Sequence, residues 1–323
     1  MGDEGRIDWL DTAKAVGMVL VYIGHCNIPG VNPYIYLFHM PLFFLISGFC
    51  WNTEKNRQLC FAPFFTKKFR SYIIPYLKVS LICLLLIQIP HNFAAFGLSN
   101  GFIESIYKYL FGIFIYSRGT IEWLPMCSPL WFLTCLFSAE IVFYFIMKQS
   151  SHQKFCIVVC MGIIGYLMSL VGKVFPYNID TAMTSIPFLY AGMLLRKHDA
   201  ICLNVKNLYL LIPISIIVLV WGVKGVDFDG NSYDNIAMMY IESCVICVTI
   251  LIIIKATGGG YFSLFGRNSL LLMGYNYAII AVVGKLHLPN CHNNIKQAIL
   301  TISVGVVFVY IINKFPKIKK LVI

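Results

Sequence analysis

WLDTAKAVGMVLVYIGH, Trp9 to His25, reads as a membrane-spanning helix with polar residues along one face. It is apolar for most of its length, yet it carries Lys14 near one end and His25 at the other. On an α-helix, eleven steps of about 100° return to within about 20°, so the two side chains face the same way. They lie roughly 16 Å apart along the axis, about half the thickness of a bilayer's hydrocarbon core. Ionisable groups are costly in lipid, so a facing pair strung along one span predicts a polar passage through protein.

The rest of the chain repeats the apolar theme. Its 323 residues are 59% hydrophobic and only 12% charged, with mean hydropathy +0.77. That composition excludes a soluble domain and predicts an all-α, polytopic membrane helical bundle. Ten spans are expected, at 12–27, 34–51, 71–90, 129–147, 154–171, 181–195, 205–223, 236–254, 268–285 and 295–313. A further apolar piece, 102–117, carries Glu104 and Lys108 and is expected as an interfacial or re-entrant helix. No polar stretch is long enough for a separate soluble domain, so residues 1–323 read as one membrane domain. The acidic N-terminal flank is unlike a cleavable signal, and the first span is expected to stay in the mature protein.

Charge sorts along this topology. With the N-terminus cytoplasmic, eighteen Lys and Arg fall in inside segments and six in outside ones. Both termini are then expected in the cytoplasm. The net charge of +11 is accounted for by topology and anionic lipid, and no nucleic-acid partner is expected. Most of the twelve cysteines lie in apolar segments, where they act as small hydrophobes. Cys156 and Cys160, four apart on a helix, lack further ligands in the sequence, and no metal site is expected.

Several polar residues stand out against this background. His39 and Pro41 lie in FHMPLFFLISGFCW, with Ser47 deeper in the same span. KKFRSYIIPY places Lys67, Lys68 and Arg70 at a cytoplasmic span end, where cations suit a phosphate-bearing donor. In PLWFLTCLFSAEIVFY, Glu140 is an intramembrane carboxylate; Trp131, nine residues earlier, faces the opposite side of a straight helix. TGGGYFSLFGRNS leads through Arg267 into a helix start, a generic anion site. Glu242 is a second membrane carboxylate without an evident partner.

Together with YNIDTAMTSIPFLYAGMLLRK (177–197) and FGRNSLLLMGYN (265–276), these motifs resemble the membrane acyltransferase family 3, and most closely its fucose 4-O-acetylase-like branch. The resemblance implies an O-acetyltransferase of bacterial surface or exported glycans in the inner membrane, with acetyl-CoA as donor and no metal. It maps the family's first-helix basic residue and histidine onto Lys14 and His25. His25 is then expected as general base or transient acyl carrier, with Glu140 and His39 as further catalytic candidates. Lys14, Arg70, Arg267, Ser47 and Lys67 are the donor-side candidates. Trp131, Asn276 and Asp180 are the candidates for a glycan or lipid-linked sugar acceptor. Some relatives carry an esterase-like soluble domain; without one, the membrane core is expected to act alone or with a separate partner. The competing expectation is a transporter or flippase, in which the same polar stripe lines a pathway and no bond is made.

Overall fold

A computed structural model describes residues 7–119, 121, 123–260, 262–285 and 294–322. Every apolar segment expected as a span is helical. α1 is Asp8–His25 and α2 is Asn32–Phe49. Among the described residues, five helices are long and apolar enough to cross a membrane by length and composition: Phe61–Phe96, Ser128–Met147, Ser151–Val171, Ile236–Ala256 and Asn294–Lys314. Ile179–Lys197 and Val205–Trp221 occupy two further expected spans. The stretch expected over 268–285 is a broken helix, Ser263–Arg267, Ser269–Gly274 and Asn276–Lys285. The chain is a multi-pass, all-α membrane protein.

Burial follows the membrane rule that lipid-facing surfaces are apolar. Ser151–Val171 buries only Val158, Gly162 and Gly165, and turns Leu167 and Leu170 outward. Val205–Trp221 likewise exposes Leu210 and Trp221. Polar groups instead collect inside, including Asp11, Arg118, Glu140 and Asp180.

A close helix crossing joins α2 to Ile179–Lys197. Gly48 lies against the backbone of Leu189, and Gly192 against that of Leu45, with no room for a Cβ at either. This reciprocal glycine contact brings two backbones together without side chains between them, as packing in membranes favours. Pro41 within α2 cannot donate to the Leu37 carbonyl. Ser243, on Ile236–Ala256, donates to that carbonyl at 2.5 Å, so the proline also creates an interhelical bond.

Two segments differ in extent from the sequence expectation. The helix expected over 71–90 runs from Phe61 to Phe96 and passes through π-turns at Phe69–Ile73 and Leu84–Gln88. Each π-turn lies just before a proline, Pro75 or Pro90, where a helical donor is missing. At about 54 Å it is longer than the hydrocarbon core. Its first two turns, Phe61–Lys68, carry Lys67 and Lys68 and bury only Phe64. The 102–117 piece is a helix over Asn100–Phe111 closed by a π-turn to Tyr116, with Ile103 and Tyr107 exposed.

Among the described residues the only strands are a two-residue pair, β1 (Val226–Asp227) and β2 (Ser232–Tyr233), which pair antiparallel. This small hairpin is tucked into the bundle. Phe228 at its turn is buried between the rings of Phe44 and Phe188.

Candidate functional site

A cavity of about 640 Å³ lies at the end of the bundle where α1 finishes. That volume falls within the roughly 300–1,000 Å³ typical of small-molecule sites. α1 contributes His25 and Val21; α2 contributes Tyr36, His39 and Met40. Trp131, Asp227, Asp229 and Tyr277 line it from three other parts of the chain.

Two histidines from neighbouring helices therefore reach one space. His25 is the last residue of α1, and its Nδ1 lies 3.0 Å from the Tyr277 hydroxyl. The two rings meet edge to face, with centroids 4.9 Å apart. His39 is held differently: its Nδ1 lies 2.9 Å from the Ile35 carbonyl, one turn back on α2. A carbonyl only accepts, so His39 Nδ1 carries a proton and donates. In the neutral ring the lone pair is then on Nε2.

The hairpin supplies the cavity's carboxylates and is firmly anchored. Asp229 accepts through Oδ1 from the Gly119 amide at 3.1 Å. Arg118 donates to the Asp229 carbonyl at 2.6 Å and to Asp180 Oδ1 at 2.5 Å. Arg118 and Asp180 are both buried, 2% and 1% exposed. Thr181 adds a hydrogen bond to the Phe228 carbonyl at 3.0 Å. Asp180 thus does not line the cavity; it acts on the hairpin through Arg118.

A second polar cluster occupies the opposite end of α1. Asp11 sits between two cations, with Lys14 Nζ at 3.3 Å and Arg267 Nε at 3.5 Å. Arg267 also reaches Asp8 at 3.2 Å. The approach depends on Gly266, whose Cα faces the Asp11 carbonyl with no room for a Cβ. Thr12 accepts from the Gly260 amide at 2.8 Å and ties the glycine-rich loop to the same turn. Farther along α1, Tyr22 donates to the Leu272 carbonyl at 3.1 Å. One seam between α1 and the broken helix therefore runs from Asp11 and Arg267 to His25 and Tyr277.

Glu140 belongs to a third cluster. Ser47 donates to its Oε1 at 2.8 Å and Tyr72 at 3.1 Å, while Lys68 forms an ion pair with Oε2. The Lys68 ammonium also lies over the Trp51, Phe64 and Tyr72 rings. None of these residues lines the cavity.

The structure thus gathers His25, His39 and Trp131 around one cavity, and Lys14 with Arg267 around one carboxylate. Ser47 and Glu140 meet each other, away from both places. Lys67 and Arg70 are exposed. Asn276 is buried directly before Tyr277 and does not line the cavity. Glu242 accepts from the Val223 amide at 2.9 Å, after the end of Val205–Trp221. Sequence reading assigned no site role to Tyr277, Arg118 or the hairpin carboxylates, and it grouped Lys68 with the donor-side cations where the structure pairs it with Glu140. The available signals were modest: Tyr277 adjoins the FGRNSLLLMGYN motif, and Asp227 and Asp229 stand in a turn-rich loop.

Comparison with curated proteins and with solved structures gives no match. The family model described as an acyltransferase domain matches residues 7–314, nearly the whole chain. The matched region holds both ends of the α1 seam and the entire cavity lining. The chain belongs to acyltransferase family 3 and is a membrane acyltransferase.

Proposed function

We propose that this chain is a membrane O-acetyltransferase that moves an acetyl group from cytoplasmic acetyl-CoA to a sugar hydroxyl of a cell-surface or exported glycan. The observation that carries this reading is the seam along α1. One end presents Lys14 and Arg267, and the other presents His25 in a cavity large enough for a small molecule. The excess of cations in segments on the Lys14 side supports a cytoplasmic position for that end and for both termini, in a bacterial inner membrane.

In this mechanism the cations at the Lys14 end hold the phosphates of the donor, and its thioester arm extends along the seam. The acceptor occupies the cavity. His25 Nδ1–H donates to Tyr277, which leaves the Nε2 lone pair to take the proton from the acceptor hydroxyl. The alkoxide oxygen attacks the thioester carbonyl, an ester C–O bond forms and the C–S bond breaks. The imidazolium returns its proton to the leaving thiolate, so CoA departs as a thiol and His25 is restored. As proton carrier, His25 contributes roughly 10²–10⁴-fold to the rate.

The test is CoA release from acetyl-CoA by the purified chain in liposomes, wild type beside His25→Ala. Release by wild type and its loss in a folded, acetyl-CoA-binding His25→Ala variant support the mechanism. Folded wild type that neither binds acetyl-CoA nor releases CoA would overturn it in favour of transport without acyl chemistry.

A further inference from the structure

We propose that the cavity beside His25 takes a sugar unit without acidic groups and turns away uronic and other acidic sugars, with Asp227 and Asp229 as the discriminating residues. This deepens the acetyltransferase reading above and rests on it for the role of the cavity as acceptor site.

Three observations carry the inference. First, the described residues lining the cavity include two carboxylates and no lysine or arginine. Second, Tyr36, Tyr109, Trp131, Phe228 and Tyr277 give the same cavity aromatic walls. A pyranose presents both complements: C–H faces that pack on rings, and hydroxyls that donate to carboxylates. Third, the carboxylates are held in place. Asp227 Oδ1 accepts from the Asp229 amide at 3.0 Å, and Asp229 Oδ1 accepts from the Gly119 amide at 3.1 Å. The turn between them is fixed through Phe228 and the Arg118–Asp180 pair. A rigid hairpin cannot swing its charges away when an anion enters.

The discrimination is electrostatic. An acidic sugar would bring a like charge beside two fixed carboxylates, in surroundings that screen less than water. A sugar bearing only hydroxyls meets no such repulsion and gains charge-assisted hydrogen bonds. Specificity therefore comes as much from repulsion of the wrong acceptor as from attraction of the right one.

The experiment uses the purified full chain in nanodiscs and saturation-transfer NMR. The probes are the methyl glycosides of glucose, galactose and mannose, each beside its uronic acid counterpart. For at least one pair, the neutral glycoside is expected to bind at least about tenfold more tightly than the acid. In the Asp227→Asn/Asp229→Asn variant that gap is expected to close. Asparagine keeps an Oδ1 acceptor for the Asp229 and Gly119 amides, so the hairpin retains its internal bonds. Equal or tighter binding of the acids, an unchanged gap in the variant, or no binding of any glycoside overturns the proposal. CoA release by the same preparations reports on donor chemistry separately. Release together with a preference for acids sinks the acceptor assignment alone. A neutral preference without acetyl-CoA binding or release sinks the acetyltransferase reading alone.

Discussion

The Tyr277 hydroxyl lies 3.0 Å from Nδ1 of His25, joining two residues 252 positions apart in the chain. α1 ends at His25, and Tyr277 stands just beyond the break in the Ser263–Lys285 run. Beyond the break at Tyr275 the phenol of Tyr277 meets the end of α1. In the proposed mechanism the phenol oxygen accepts from Nδ1–H, so that Nε2 is the basic nitrogen, and it steadies the imidazolium formed during transfer.

Tyr277→Phe therefore separates orientation from binding. The variant keeps the ring and its edge-to-face packing but loses the oxygen. The expected result is a fall in kcat of roughly ten- to a hundredfold, smaller than the 10²–10⁴-fold expected for loss of His25 itself. KM for acetyl-CoA should stay unchanged, because Tyr277 lies at the far end of the seam from Lys14 and Arg267. Steady-state kinetics on the two variants checks this; an equal loss in both would make Tyr277 a direct participant, and no loss would remove its positioning role.

The opposite end of the seam makes the converse prediction. Lys14→Ala removes one of two cations gathered on Asp11 and should raise KM for acetyl-CoA with little change in kcat. If Lys14 instead serves only to neutralise Asp11, Lys14→Ala combined with Asp11→Asn should restore the wild-type KM. Titration of acetyl-CoA at two ionic strengths measures both, since a phosphate contact weakens with added salt.

How far the sequence reached is clear from these two ends. Lys14 and His25 are neighbours on one helix, and helical spacing alone placed them on a common face. The partners that complete each end come from Arg267 and Tyr277, on a segment about 250 residues away. No local periodicity encodes such pairings. The hairpin's place in the bundle was not legible, because it depends on Phe228 entering between Phe44 and Phe188. The Arg118–Asp180 pair was not legible for the same reason. Glu140 was recognisable as a costly intramembrane carboxylate, but its partners sit on two other helices. The helical spans were the most legible feature, since apolar length is set by the bilayer and needs no tertiary information.

Arg118 and Asp180 form a buried ion pair, and removing one member leaves an uncompensated charge. Asp180→Ala is expected to destabilise the folded chain by roughly 3–5 kcal/mol. The double variant Arg118→Met/Asp180→Ala should recover part of that loss, because no charge remains buried. It should not recover full activity, since the Asp229 carbonyl still lacks its donor and the hairpin is loosened. Thermal unfolding in detergent and kcat on the same samples test both halves. Recovery of activity together with stability would show that the hairpin holds its position without Arg118.

The Glu140 cluster invites a different outcome, because its members hold the fold together without lining the cavity. Glu140 joins α2 through Ser47 to the long Phe61–Phe96 helix through Tyr72 and Lys68. In Glu140→Gln the amide oxygen still accepts from Ser47 and Tyr72, but Lys68 loses its counterion. Breaking a buried pair from one side costs roughly 3–5 kcal/mol, here reduced because Lys68 remains 15% exposed and lies over three aromatic rings. The expected result is a lower unfolding temperature with kcat per folded molecule within a few-fold of wild type. Adding Lys68→Met should raise the unfolding temperature again by removing the unpaired cation. A loss of kcat as large as that of His25→Ala, in protein that unfolds at the wild-type temperature, would instead place Glu140 in the chemistry and require the cavity to communicate with it during turnover.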